Sequence, residues 1–352
     1  MSSEFVTPPA MEPGDSVAVL APSSGGAHDA PHLLELGLQR LRDVFDLDPV
    51  VYPTARQSDS FLRDNPRARA ADIHAAFRDP DIAGVFATIG GTDQLRVLRH
   101  LDPEVLGEHP TRFFGMSDNS NLGLYLWTHG VVSYNGGQLL NEIATPGGVP
   151  EYTERYCRRA FFEDQLGELE SADEWSDAPS HWWTDPSLLG ERPEYEPNPG
   201  RRWAGGEDAV SGRLWGGSLA IVDWHLASDR YLPAPERLDG AVLCIETAED
   251  LPKPMMVGAT LMAMGERGLL ERFSGVLVGR PPTRSYLDEP PEPQRRRYRE
   301  NLYDAVVEWV GRYNPDAPVV CGLDWGHTNP VAPLPVGREV EIDPSSERIV
   351  VR

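Results

Sequence analysis

Short apolar runs alternate with stretches of helical period through the first half of this chain. Residues 16–21, 84–89, 112–115 and 131–134 read as strands, each followed by a helix signal. Leu34, Leu38, Leu41 and Phe45 recur at steps of four and three, which predicts a helix over residues 33–45. Asn65 followed by Pro66 predicts an N-cap and first-turn pair for a helix running to Phe77. Residues 119–127 read as a further helix. This βαβ rhythm predicts an α/β fold with a Rossmann-like parallel sheet covered by helices, and such sheets bind ligands beyond the carboxyl ends of their strands.

The pattern changes at Glu163. Residues 163–208 are polar, rich in proline and acidic side chains, and carry Trp175, Trp182, Trp183 and Trp203. The segment is too long for a plain connection. Its indoles either anchor a surface flap to its own domain or form an aromatic wall over a site. Past the glycine-rich stretch 212–217, residues 241–245, 275–279 and 319–321 read as strands, and 339–342 with 348–351 as a terminal hairpin. Residues 261–272 and 297–313 read as helices, and 281–293 as a proline-rich, acidic surface loop. The expected organisation is an N-terminal α/β domain over 1–162, a tryptophan-bearing flap over 163–208, and a C-terminal β/α domain over 209–352.

Charge narrows the partners. Of 352 residues, 55 are acidic and 32 basic, giving a net charge of −23, and Lys253 is the single lysine. Such a surface repels nucleic-acid backbones and anionic membranes, so neither is expected as a partner. Acidic residues spread along the whole chain predict a halophilic protein, because the Debye length falls to about 3 Å at 1 M salt and self-repulsion is screened; a merely acidic cytosolic protein is the alternative. Cys157, Cys244 and Cys321 are odd in number with no close pair, which indicates neither a disulfide framework nor a zinc cluster. No stretch approaches the roughly 18 apolar residues of a membrane span, and the first 15 residues lack a signal-peptide pattern, so the expectation is cytoplasmic.

The chemistry concentrates in Gly115-Met116-Ser117-Asp118. A strand turning sharply into a helix at a serine presents the hydroxyl at a sheet edge, with the next backbone N–H groups aimed at whatever the serine attacks. Asn119 stands where the usual G-x-S-x-G elbow has its second glycine, and an ordinary turn is the plainer reading. Glu246 follows the apolar run 241–245, and His327 lies between Gly326 and Pro330. Serine, acid and histidine in that order point to a serine hydrolase: a hydroxyl needs an imidazole to take its proton, and the imidazole needs a carboxylate to fix its tautomer. Gly90-Gly91 suits close approach of backbone to a substrate oxygen, or forms a strand-to-helix turn. Asp93 and Asp118 either pair with arginines or select a cationic end of the substrate. There is no H-E-x-x-H, His28 and His32 have no acidic ligand pattern nearby, and no G-x-x-x-x-G-K-[ST] occurs.

Four ordered segments together resemble the LD-carboxypeptidase family (serine peptidase family S66), and in particular its microcin-C immunity, MccF-like branch. They are Gly14-Asp15-Ser16 through Ser23, Ile89-Gly90-Gly91-Thr92-Asp93, Gly115-Met116-Ser117-Asp118, and Gly326-His327 with Pro335-Val336-Gly337. The resemblance implies Ser117 as nucleophile, Glu246 as acid and His327 as general base, in a second domain facing the serine across a cleft. It implies an oxyanion hole from the backbone N–H groups of Gly91 and Asp118, and it aligns Trp182 and Trp183 with aromatics that contact a substrate's nucleobase. It further implies a homodimer without cofactor or metal, acting on a small peptide or peptidyl-nucleotide. A murein tetrapeptide carboxypeptidase, an esterase and a non-catalytic binding protein are the rivals. Two positions depart from the branch: Asp250 replaces a lysine that binds the substrate's acidic side chain, and Thr92-Asp93-Gln94 follows the double glycine.

Overall fold

The computed structural model describes residues 5–285 and 288–352. It divides into two compact units. One comprises Met1–Leu166, Ser180–Pro193 and Val331–Gly337; the other comprises Gly167–Pro179, Glu194–Pro330 and Arg338–Arg352. The tryptophan-bearing segment is therefore shared. Trp182 and Trp183 fall in the first unit, Trp175 and Trp203 in the second.

The first unit is built on a six-stranded sheet. Ser16–Leu20 pairs in parallel with Asp48–Val51 and Ile82–Ala87, and Ile82–Ala87 pairs in parallel with Arg112–Phe114. Ser133–Asn135 follows in parallel, and Leu334–Val336 closes the edge antiparallel. Ile82–Ala87 and Arg112–Phe114 are short and buried on both faces, which explains why they read as continuous apolar runs, whereas the edge strand Asp48–Val51 alternates between exposed and covered positions. Beneath their carboxyl ends Phe86 stacks on Phe114 and Phe114 on Tyr134, each with centroids 4.8 Å apart, and Phe161 meets the first two rings edge-on.

The second unit carries an eight-stranded mixed sheet. Its centre is four parallel strands, Val210–Ser218, Val242–Glu246, Gly275–Gly279 and Pro318–Leu323. Arg202–Gly205 flanks them antiparallel on one side, and the hairpin Glu339–Asp343 with Arg348–Val351 on the other. The guanidiniums of Arg280 and Arg299 lie 5.4 and 5.5 Å from the centroid of the Trp175 ring, so this indole anchors the start of the segment to its own unit. Among the described residues no helix is long and apolar enough to cross a membrane. All three cysteines are buried and free.

Several elements differ from the sequence expectation. Asn65 does not cap the helix Pro66–Arg78 with its side chain; its amide donates to the Phe61 carbonyl and closes the preceding helix Asp59–Asp64 instead. The helix expected over 261–272 begins at Pro254, a proline suited to a first turn, and stops at Glu266, before a separate turn at Leu270–Arg272. The 281–293 loop is not all surface. Pro281, Pro282 and Thr283 are buried, with the Thr283 N–H and hydroxyl both donated to Asp177, at 2.7 and 2.6 Å, and the helix Glu292–Tyr313 already begins inside the range; residues 286 and 287 lie outside the described residues.

Arg112 positions the strand that leads to Ser117. Its fully buried guanidinium donates to the carbonyls at the end of the helix Glu151–Phe162, among them Phe161 at 3.2 Å and Glu163 at 3.0 Å, and also to the Pro8 carbonyl at 3.2 Å. These are the orphan acceptors of a helix C-terminus, where a cation is favourable. Arg112→Met should remove about 2–4 kcal/mol of stability by leaving these acceptors buried and unmet. A fall of several degrees in the thermal midpoint would show this; an unchanged midpoint would mean that water replaces the guanidinium.

Candidate active site

Ser117 sits where the strand Arg112–Phe114 turns into the helix Ser120–Thr128 through the short turn Ser117–Asn119. Met116 is still extended, and Ser117 then adopts a left-handed conformation with φ 61°. Non-glycine residues avoid that region, so the surroundings must hold it. They do so through two glycines. A Cβ on Gly115 would lie 2.9 Å from Asn119 Cβ, and one on Gly90 would lie 2.7 Å from Ser117 Cβ and 3.0 Å from its Oγ.

Asn119 explains its departure from the usual elbow. It donates to the Ile89 carbonyl at 3.0 Å and accepts from Gln94 Nε2 at 2.7 Å, tying the serine turn to the loop after the strand Ile82–Ala87. A second glycine could do neither. Asp118 adds a collar: its buried carboxylate accepts from the Ser23 hydroxyl, from the Asp93 and Gln94 backbone N–H groups at 3.0 and 2.9 Å, and from Asn121 Nδ2 at 2.9 Å. Burial holds the Asp118 carboxyl above its ordinary range, against the downward pull of the Ser23 hydroxyl and the two N–H donors.

The collar leaves two backbone donors open. The Gly90 carbonyl is taken by Ser24, from its hydroxyl at 2.6 Å and its N–H at 3.2 Å, so in a trans peptide the Gly91 N–H points the opposite way. Among the described residues neither the Gly91 nor the Asp118 N–H has a hydrogen-bond partner. Two free N–H groups flanking a serine are the donor set that stabilises an oxyanion.

Asp93 is compensated within the protein. Arg69, fully buried, grips it with both terminal nitrogens at 2.7 and 3.2 Å, and Arg96 adds a contact at 2.9 Å. Trp182 is buried, its carbonyl bound by His32 Nε2 at 2.8 Å and its indole N–H without a partner. Trp183 is half-buried; its six-membered ring lies 3.1 Å from where a Cβ on Gly26 would be, and Ile89, the residue before Gly90, reaches the same point at 3.0 Å. His32 is thus a packing residue, and among the described residues no cluster of His, Cys, Asp and Glu fits a metal.

In the second unit Glu246 is the last residue of the strand Val242–Glu246, not the first of the loop, and His327 lies beyond the strand Pro318–Leu323. Both occupy the carboxyl end of the parallel strands. His327 donates its Nδ1–H to Glu246 Oε2 at 2.5 Å; the carboxylate can only accept, which fixes this tautomer and leaves the Nε2 lone pair for a proton. Glu249 Oε2 stands 3.9 Å from that Nε2. The slot for the carboxylate is made by two missing side chains: a Cβ on Gly279 would lie 2.8 Å from Glu246 Cβ, and one on Gly326 2.8 Å from Cβ and 2.9 Å from Oε2. Gly326 also has φ 98°, a conformation closed to other residues without strain.

Gly326→Ala should therefore push Glu246 off His327 at a strain of about 1–3 kcal/mol. The far-downfield proton resonance of the His327 Nδ1–H should be present in the parent protein and lost in Gly326→Ala and in Glu246→Ala. Its survival in Gly326→Ala would show that the slot has room to relax.

Comparison with known proteins agrees with this architecture. The sequence model of the LD-carboxypeptidase N-terminal domain matches residues 17–136, and that of the C-terminal domain matches residues 211–342. The putative carboxypeptidase YocD of Bacillus subtilis is 26% identical over 95% of this chain and 94% of its own length. Among solved structures, an MccF-like protein from Streptococcus pneumoniae in complex with AMP superposes with a TM-score of 0.84 at 24% identity, covering 96% of this chain and 98% of that one. Microcin C7 self-immunity protein MccF in complex with aspartyl sulfamoyl adenosine does so at 0.82 and 20% identity, covering 97% of each chain. At these identities the structures establish the shared fold. Matched in both of its domains, the chain belongs to the LD-carboxypeptidase family, peptidase family S66.

Proposed function

We propose that this chain is a serine peptidase or amidase that cleaves an amide through an acyl-enzyme on Ser117. His327 acts as general base and then as general acid, Glu246 holds its tautomer, and the Gly91 and Asp118 N–H groups receive the oxyanion. The observation that carries the reading is the left-handed Ser117 backbone flanked by two unpartnered N–H donors. A structural turn has no need of either feature, and an open donor on a buried residue such as Asp118 is uncommon in native proteins. The Glu246–His327 pair supports it from the second unit. The reading requires His327 Nε2 to reach the Ser117 hydroxyl in the working enzyme.

The proposed substrate is a peptidyl or aminoacyl nucleotide, in the manner of the MccF-like branch. Its support is the ligand kept by two structural relatives, AMP and aspartyl sulfamoyl adenosine, together with the place of Trp183 beside Ile89. Stacking of a base on an aromatic ring is worth about 1–3 kcal/mol in nucleic-acid-binding proteins.

Purified protein should hydrolyse aminoacyl sulfamoyl nucleotides. Alanine at Ser117, Glu246 or His327 should lower kcat by about 10⁴–10⁶-fold, with double variants no worse than the worse single. Unchanged turnover in Ser117→Ala, or additive losses, would refute the shared site. Turnover of a murein tetrapeptide alone would move the substrate to the peptide class, and ester turnover without amide turnover would make the protein an esterase. Trp183→Phe and Trp183→Ala should raise KM for nucleotide-bearing substrates while leaving kcat near its parent value; an unmoved KM would make this indole a packing residue only.

A further inference from the structure

The loop that carries His327 holds itself poorly. The strand before it ends at Leu323. The backbones of Gly326 and Thr328, on either side of the imidazole, make no hydrogen bond among the described residues. Just past His327, Asn329 is gripped from outside the loop. Its N–H donates to the Ser176 carbonyl at 2.8 Å, and its carbonyl accepts from the Ser176 N–H at 2.7 Å. This is an antiparallel bridge in which the two residues exchange both bonds.

Ser176 follows the short strand Glu174–Trp175, which pairs antiparallel with Glu196–Pro197. A ribbon so short has little stability of its own. Residues 180–193, between its strands, belong to the first unit, so no tight turn closes it. Side chains hold it instead. Ser176 Oγ donates across the ribbon to the Glu194 carbonyl at 2.6 Å. Beside it, the Asp177 side chain is 2% exposed. One carboxylate oxygen accepts from the Thr283 N–H and hydroxyl and from the Arg284 N–H. The other lies 3.4 Å from Arg284 Nη1 and 3.7 Å from Arg295 Nη1. Both guanidiniums also donate to Glu196 Oε1 in the facing strand, at 2.9 and 2.5 Å. Two acids, one from each arm of the ribbon, are thus tied by the same two arginines. Buried ion pairs add little net stability over apolar packing, and their best-attested use is to fix one register.

We infer that this ribbon is a positioning element for His327, and that Asp177 is the residue that sets it. Arg284 and Arg295 fix Asp177, Asp177 fixes the backbone of Ser176, and Ser176 fixes Asn329 and the loop that presents the imidazole. Asp177 acts through the loop and not on the substrate. The effect on turnover rests on the proposed reading of His327 as general base; the hold of the ribbon on the loop stands without it.

The test compares Asp177→Asn and Glu196→Gln with Asn314→Ala in full-length protein. Asn314 donates to the Leu270 and Phe273 carbonyls elsewhere in the unit, so its loss weakens the unit without touching the ribbon. In the two ribbon variants the His327 Nδ1–H resonance should shift or broaden. Their kcat should fall about 10–10²-fold, with KM within about twofold of the parent value. Asn314→Ala should lower the thermal midpoint and leave resonance, kcat and KM in place. The parent protein supplies a measurement that needs no variant to fold: its Ser176 and Asn329 amides should be protected from hydrogen exchange. Free exchange of these amides, an unmoved resonance or an unchanged kcat in a folded ribbon variant, or equal losses in Asn314→Ala, would overturn the inference. A resonance that depends on the ribbon, without any Ser117-dependent hydrolysis in the parent protein, would remove the amidase reading and leave the ribbon. Ser117-dependent hydrolysis with resonance and kcat indifferent to the ribbon would do the reverse.

Discussion

The site depends on one local conflict, a serine held in left-handed backbone against the underside of Gly90. For an L-residue that conformation costs roughly 1–2 kcal/mol, and it persists only where neighbours over-determine it. Here the neighbours are countable. Gly115 lets Asn119 close over the turn, Asn119 and Gln94 join the turn to the Ile89 loop, and Asp118 gathers Ser23, Asp93, Gln94 and Asn121 around one buried carboxylate. The bonds that hold the serine also turn the Gly90 carbonyl toward Ser24 and leave the Gly91 N–H open. Strain and donor placement thus have the same origin.

The second unit solves its own problem by omission. A buried glutamate beside a histidine needs space at the end of a tightly packed parallel sheet, and Gly279, at the end of its strand, and Gly326, in the loop that carries His327, provide it. Glu246 Oε1 is buried without a partner, so the orientation of this carboxylate is set by His327 and by the walls of the slot.

Much of the framework was legible because its signals are local. The apolar runs that became Ile82–Ala87, Gly275–Gly279 and Pro318–Leu323 are buried on both faces, and the terminal hairpin is punctuated by its own turn residues. Gly115-Met116-Ser117 is visible because an elbow is a matter of consecutive residues. What escaped the sequence is tertiary. Asn119 looked like a lapse from a motif, and its value lies in Gln94 and Ile89, some 25 and 30 positions away. Asn65 turned back to Phe61 since a proline next door favours a break there whichever helix the side chain serves. Gly279 looked like any strand glycine, and its part in the Glu246 slot rests on packing between neighbouring strands that no spacing rule connects. The four tryptophans were legible as either anchors or an aromatic wall, but their division between two units follows from a chain path that returns at residues 180–193.

The central claim, that Ser117 is a nucleophile activated by His327, is tested most directly by active-site labelling. Full-length protein treated with a fluorophosphonate should gain one adduct by intact mass, on the peptide that contains Ser117, and His327→Ala should suppress the labelling rate by orders of magnitude. An adduct on another residue, or labelling of Ser117 at the same rate in His327→Ala, would contradict the account.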